Sequence, residues 1–136
     1  MPTIACSITD ALSEVRTSYG VFLQPDKMLR KIEERIARWT RIPVEHGEQF
    51  YFLRYEEGQQ YQPHHDYFHE HLPGMERYLG KAGQRTATVL LYLHTPEEGG
   101  ETIFPHTAKK VPAKRGSSSA RSLSRVTDAA RVRACC

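Results

Sequence analysis

Apolar and polar positions divide the chain into one helix, several strands and a last segment with neither period. Residues 1–15 carry little periodic signal, and Val15 to Leu23 reads as an extended segment with a glycine turn at Gly20. Pro25 and Asp26 open a helix, and Leu29, Ile32, Ile36 and Trp39 then recur at steps of three and four, which is one helical face. Lys27, Arg30, Lys31, Glu33, Glu34 and Arg38 fall largely on the other side, and Pro43 stops the helix because residue 42 is pushed out of helical geometry. Between Glu48 and Glu56 the aromatic and aliphatic residues are dense enough for a strand covered on both faces, closed by a Glu57-Gly58 turn. Pro73, Gly74, Gly80 and Gly83 make 69–84 an irregular loop with room for a helical turn. Thr86 to His94 is a continuous, β-branched-rich strand ending at Pro96-Glu-Glu-Gly-Gly, and Glu101 to Phe104 is a second. Strands joined by short turns with one flanking helix predict a mainly β, α+β architecture, an antiparallel sandwich or jelly roll.

Charge sharpens the division near residue 112. The formal net charge of +3 over 136 residues hides a body and a tail of opposite sign. Residues 107–136 hold eight Lys and Arg against one acid, Asp128, whereas 1–106 hold 11 basic and 15 acidic residues and all 13 aromatics. We therefore read 1–112 as the domain and 113–136 as a basic Ser/Arg/Ala-rich tail, disordered and solvated, with a weak amphipathic helix near 120–132 as the alternative. A tail without aromatics to stack on bases, and without a recognisable module, argues against nucleic acid as a partner. No run approaches the roughly 20 apolar residues of a membrane span, and the first residues lack the layout of a secretory signal. Cys6, Cys135 and Cys136 support neither a disulfide framework nor a zinc-thiolate site.

Candidate chemistry sits in Tyr61-Gln-Pro-His-His-Asp-Tyr-Phe-His-Glu70. His64 and Asp66 are spaced to share one face of an extended strand, and an imidazole beside a carboxylate is two thirds of the facial triad that holds non-haem Fe(II). His65 points the other way. His69 and His71 invite a zinc site, but Leu72-Pro73 opposes the helix that a His-Glu-x-x-His site needs, so they read as exposed loop histidines.

In that context the body resembles the catalytic domain of the prolyl 4-hydroxylase alpha-subunit family. The matching stretches are Val15-Arg-Thr-Ser18, Ile32-x3-Ile36-Ala-Arg-Trp39-Thr, Ile42-Pro43, Leu53-x-Tyr55-x2-Gly58-Gln-x-Tyr61-x-Pro63-His64-x-Asp66-Tyr-Phe68, Gln84-Arg85-x-Ala87-Thr88-Val-Leu-x-Tyr92-Leu93 and Gly99-Gly-Glu-Thr102-x-Phe104-Pro105. They run from 15 to 105 in the family's order. The resemblance implies a double-stranded β-helix, here incomplete. It also implies a dioxygenase that hydroxylates peptidyl proline with Fe(II), O2 and 2-oxoglutarate, releasing succinate and CO2, with ascorbate keeping the iron reduced. His64 and Asp66 would be metal ligands, and no catalytic residue is implied beyond them. Tyr55 and Thr102 fall where the family contacts 2-oxoglutarate, and Arg16, Ser18, Glu48 and Arg85 fall near positions lining the groove for a proline-rich peptide.

Past Gly116 the likeness stops. The family supplies its third iron ligand from a Ser-Leu-His and its 2-oxoglutarate anchor from a downstream Lys, and Ser117 onward resembles neither. His94 and His106 lie outside the third-ligand context. The expectation is a dioxygenase domain whose C-terminal part is missing or replaced, by a shifted frame or alternative exon end, with little or no turnover. A catalytically silent module binding proline-rich peptides is the alternative. The family resemblance also suggests the endoplasmic reticulum, although no signal or anchor is legible in these residues.

Overall fold

The computed structural model describes residues 16–80, 83–122 and 130–135. Seven short strands and one long helix make up most of it. In chain order they are β1 (Tyr19–Phe22), α1 (Lys27–Thr40), β2 (Tyr51–Arg54), a one-turn helix α2 (Glu76–Leu79), β3 (Gln84–Leu91), β4 (Thr102–Phe104), β5 (Lys109–Val111), β6 (Ser118–Ser122) and β7 (Ala130–Cys135). Five strands form one sheet in the order β1-β2-β7-β3-β6, and β4-β5 form a separate two-stranded sheet.

Helix α1 starts where the capping residue puts it. Asp26 is extended, and its carboxylate accepts the Leu29 N–H at 2.7 Å, satisfying one of the donors that a helix start leaves open. The helix ends at Thr40, before Pro43, with Arg41 in the left-handed region at φ 60° and its N–H on the Ala37 carbonyl at 2.8 Å. Leu29 is buried with Phe50 against Leu23, Ile32, Ile36 and Leu91, so the predicted apolar face does meet the sheet. Trp39 departs from that prediction: it lies in the last turn, 53% exposed, outside the cluster.

Gly20 is not a turn. It lies inside β1 opposite Leu53, and a Cβ there would run into the Tyr51 ring, coming within 2.9 Å of Cε1. The glycine lets that aromatic side chain lie across the strand. Strand β3 begins two residues earlier than its apolar run suggests and ends at Leu91. Thr88 and Val89 are 5% and 0% exposed, so this strand is covered on both faces.

Two expectations fail in the sheet. Its pairing is mixed rather than antiparallel, because β7 runs parallel to both β2 and β3. Nor is the stretch after 112 wholly without structure: β6 pairs antiparallel with β3 from Leu91↔Ser118 to Ala87↔Ser122. Upstream of β6, the Tyr92 N–H donates to the Ser117 carbonyl at 3.0 Å and the Gly116 N–H to the Tyr92 carbonyl at 2.8 Å. A sheet edge is satisfied by backbone N–H and C=O groups, which Ser and Ala offer as well as Val does, so apolar alternation is not required there. The suggested helix near 120–132 is likewise replaced by strand at Ala120 to Ser122 and Ala130 to Val132; residues 123–129 lie outside the described residues.

Candidate metal and co-substrate site

The His-x-Asp stretch is not a regular strand. Tyr61 makes an isolated bridge with Arg16, and 62–70 are irregular, so His64 and Asp66 come together by anchoring rather than by strand pleat. The Thr17 N–H donates to the Gln60 carbonyl at 3.1 Å, and the Gln60 N–H donates to Thr17 Oγ1 at 3.0 Å, fixing the start of the segment. At its other end the Gln84 side-chain amide grips Phe68 twice, accepting its N–H at 2.7 Å and donating to its carbonyl at 2.8 Å. Local alternation survives between these anchors. His65, Tyr67 and His69 form a ring cluster with centroids 4.9–6.1 Å apart, while His64 and Asp66 face each other.

His64 Nδ1 is 2.7 Å from the Gln62 carbonyl oxygen. A carbonyl only accepts, so Nδ1 carries the proton, and in the neutral ring Nε2 presents its lone pair. That lone pair lies 3.3 Å from Asp66 Oδ1. Asp66 Oδ2 accepts the Thr88 hydroxyl at 2.8 Å, which sets the carboxylate's rotation. In that neutral form two electron-rich atoms face each other, and either a proton on Nε2 or a metal ion joins them. Bonds of about 2.1 Å to a first-row divalent ion place neighbouring donors about 3 Å apart, close to the spacing seen. The Tyr61 ring stacks on His64 at 3.7 Å and covers one side of the imidazole. This donor pair fits a metal ion, with Gln62 and Thr88 as the supports that orient such ligands. Among the described residues no group of three His, Cys, Asp or Glu side chains could complete the set. His94 and His106 are exposed and do not join it.

Arg85 underpins the same loop. Its Nε and Nη2 reach the two Glu48 carboxylate oxygens at 2.6 and 2.8 Å, Nη1 donates to the Asp66 carbonyl at 3.1 Å, and the guanidinium lies 4.3 Å over the Phe68 ring. Glu48 and Arg85, predicted to line a peptide groove, thus engage each other and brace the loop that carries His64 and Asp66. Arg16 lies over the Tyr51 and Tyr61 rings at 5.2 and 5.9 Å. Ser18 is 4% exposed, with a hydroxyl that has no hydrogen-bond partner among the described residues. Tyr55 is 43% exposed, just past β2. Thr102 Oγ1 lies 2.9 Å from the Tyr92 hydroxyl. Sequence reasoning passed over Thr88 and Gln84 as site residues. The signal was there in Thr86 and Thr88, polar residues two apart inside an otherwise apolar strand.

A mainly β body bearing an imidazole–carboxylate pair 3.3 Å apart is compatible with a metal-dependent class of protein. The model of the 2OG-Fe(II) oxygenase superfamily matches residues 50–129, which include both donors and β6, and the chain belongs to this superfamily. Among proteins of Arabidopsis thaliana it is 55% identical over 96 residues to probable prolyl 4-hydroxylase 10, covering 68% of this chain and 31% of the relative. It is 48% identical over 95 residues to probable prolyl 4-hydroxylase 7, covering 68% and 28%. With prolyl 4-hydroxylase 2 it shares 45% over 96 residues, covering 69% and 30%. The chain spans about a third of the length of the curated relatives it matches. Fe(II) and 2-oxoglutarate are the metal and co-substrate that membership implies.

Proposed function

We propose that this chain carries the metal-binding part of a prolyl 4-hydroxylase-like dioxygenase on an incomplete double-stranded β-helix. In this reading His64 and Asp66 hold Fe(II), Tyr55 and Thr102 contact 2-oxoglutarate, and Arg16, Ser18, Glu48 and Arg85 shape the approach of a proline-rich peptide. The observation that carries it is His64 Nε2 standing 3.3 Å from Asp66 Oδ1, with the far side of each group already committed to Gln62 and Thr88. When bound, Fe(II) with O2 and 2-oxoglutarate supplies the hydroxylating chemistry, and ascorbate keeps the iron reduced. The chain's own residues do the positioning. Gln62 holds the His64 proton on Nδ1, Thr88 fixes the carboxylate, Arg85 pins the Asp66 backbone, and Tyr61 shields one face of the imidazole from water.

Two protein donors hold a divalent ion more weakly than three, so turnover by this chain is expected to be slow or absent. Anaerobic addition of Fe(II) and 2-oxoglutarate should give a weak visible charge-transfer band with little succinate on admitting O2. His64→Ala or Asp66→Ala should remove the band and lower Fe(II) affinity at least about tenfold. A band of unchanged intensity in both variants would overturn the assignment. A second reading, a non-catalytic module for proline-rich peptides, draws on the half-buried Tyr61 ring beside Arg16, a pairing that needs no metal. Peptide binding retained in His64→Ala, alongside absent succinate in the unsubstituted chain, would mark that reading.

A further inference from the structure

His65, Tyr67 and His69 alternate in sequence with the His64–Asp66 pair and form a ring cluster that neither the oxygenase reading nor the peptide reading uses. The His65 and His69 rings stand 6.1 Å apart at 77°, and half-buried Tyr67 lies 4.9 Å from each. Both histidines are exposed, and neither imidazole has a hydrogen bond or ion pair among the described residues. An imidazole with neither nitrogen committed can offer either one to a metal ion. Bonds of about 2.1 Å put a ring centre about 3.2 Å from the ion, so two rings on one ion stand between about 4.5 and about 6.4 Å apart. The spacing seen falls in that range, and turning an exposed ring about χ2, a broad torsion, aims its nitrogen at little cost. Histidines on a mobile loop collect metal weakly, because binding must order the loop first. Here the backbone between the two is already held. The Arg85 guanidinium reaches the Asp66 carbonyl at 3.1 Å, Thr88 donates to the Asp66 carboxylate at 2.8 Å, and the Gln84 amide grips Phe68 at 2.7 and 2.8 Å. His65 and His69 flank these pinned residues, so joining them on one ion costs little further ordering.

We infer that His65 and His69 form a second site, a two-imidazole chelate for a borderline divalent ion such as Zn(II), with water in the remaining positions. It is independent of His64 and Asp66 and does not rest on the iron reading of that pair. Among the described residues no third His, Cys, Asp or Glu completes it, so the site is open and exchangeable rather than closed and structural. Imidazole donors also set its selectivity: they suit Zn(II), Ni(II) and Cu(II), whereas Mg(II) seeks oxygen.

The test adds Zn(II), which has no redox chemistry, to the full chain and follows binding by calorimetry. His64→Ala with Asp66→Ala removes the other donor pair, and one Zn(II) should still bind. In that background His65→Ala and His69→Ala should each weaken binding at least about tenfold, and the two together should cost little more than either, since one loss already breaks the chelate. His71→Ala should change nothing, and Mg(II) should not compete. Additive losses at His65 and His69, an equal loss in His71→Ala, competition by Mg(II), or affinity kept without either histidine each overturns the inference. Should the background variant fail to fold by circular dichroism, the unsubstituted chain decides the matter: it should take two Zn(II), and His65→Ala with His69→Ala should take one. A single ion that survives loss of both histidines sinks the second site and leaves the His64–Asp66 reading standing. A single ion lost with them does the reverse.

Discussion

At the scale of single residues, Ser18 stands apart from side chains such as Thr88, Glu48 and Arg85, which are committed to partners. The Ser18 hydroxyl is buried without a hydrogen bond among the described residues, a state that costs about 1–3 kcal/mol when no water or ligand relieves it. Ser18→Ala should therefore raise stability, by about 1 kcal/mol, read as a higher urea midpoint at constant slope. If Ser18 also meets a peptide substrate, the same variant binds that peptide less tightly, so stability and binding move in opposite directions. Glu48 presents the reverse case. It takes two charge-assisted bonds from Arg85 at 2.6 and 2.8 Å, with the two side chains only 21% and 18% exposed. Glu48→Gln keeps the shape and removes the charge, and should cost about 2 kcal/mol by denaturant titration. Because Arg85 also holds the Asp66 carbonyl, Fe(II) affinity should fall as well, although neither proposed iron donor has been touched. Unchanged affinity in a destabilised Glu48→Gln would confine the ion pair to a structural role.

At the scale of elements, α1 shows what local chemistry can specify. Asp26 caps it and the 29-32-36 stripe buries it, so Asp26→Ala should lower stability by about 1 kcal/mol, whereas Asp26→Asn, which keeps an acceptor, should be nearly neutral in thermal melts. Equal losses in both would mean that the carboxylate's charge, not its hydrogen bond, matters. Because Asp26 and its apolar stripe are all within one segment, the helix was legible from the residues alone. The loop of His64 and Asp66 was legible only in part. His64 and Asp66 are two residues apart in sequence and could be singled out, but the geometry that orients them comes from Gln84, Arg85 and Thr88, some twenty residues away. Strand β3 supplies all three through an irregularity that no periodicity announces. Its register against β7 steps from Arg85↔Arg131 to Ala87↔Val132, leaving Thr86 as an extra residue. Without that bulge, residues 85 and 88 would face opposite sides; with it, both reach Asp66. Strand β6 was illegible for a different reason. Its Ser and Ala residues carry no hydrophobic signal, and only the open edge of β3 tells where they pair.

At the scale of the whole molecule, the order β1-β2-β7-β3-β6 makes β7 the link between the antiparallel β1-β2 pair and the strand that braces the His64–Asp66 loop. The link is uneven: β7 matches β3 over six residue pairs but β2 at Tyr51↔Cys135 alone. A chain cut after Ser122 keeps His64 and Asp66, the proposed iron donors, and among the described residues loses β7. Its sheet then separates into β1-β2 and β3-β6, each a two-stranded piece of the kind that is marginal in water without further packing. Unfolding of the cut chain should accordingly lose cooperativity, with fluorescence of Trp39 on α1 and far-ultraviolet circular dichroism giving different midpoints where the full chain gives one. Fe(II) affinity should fall in the same variant, since Thr88 and Arg85 would no longer be held in register with the rest of the sheet. Coincident midpoints and unchanged affinity in the cut chain would instead place the stability of the site within residues 16–122, with Leu91 packing on the Leu29–Phe50 cluster as the contact that holds the two halves together.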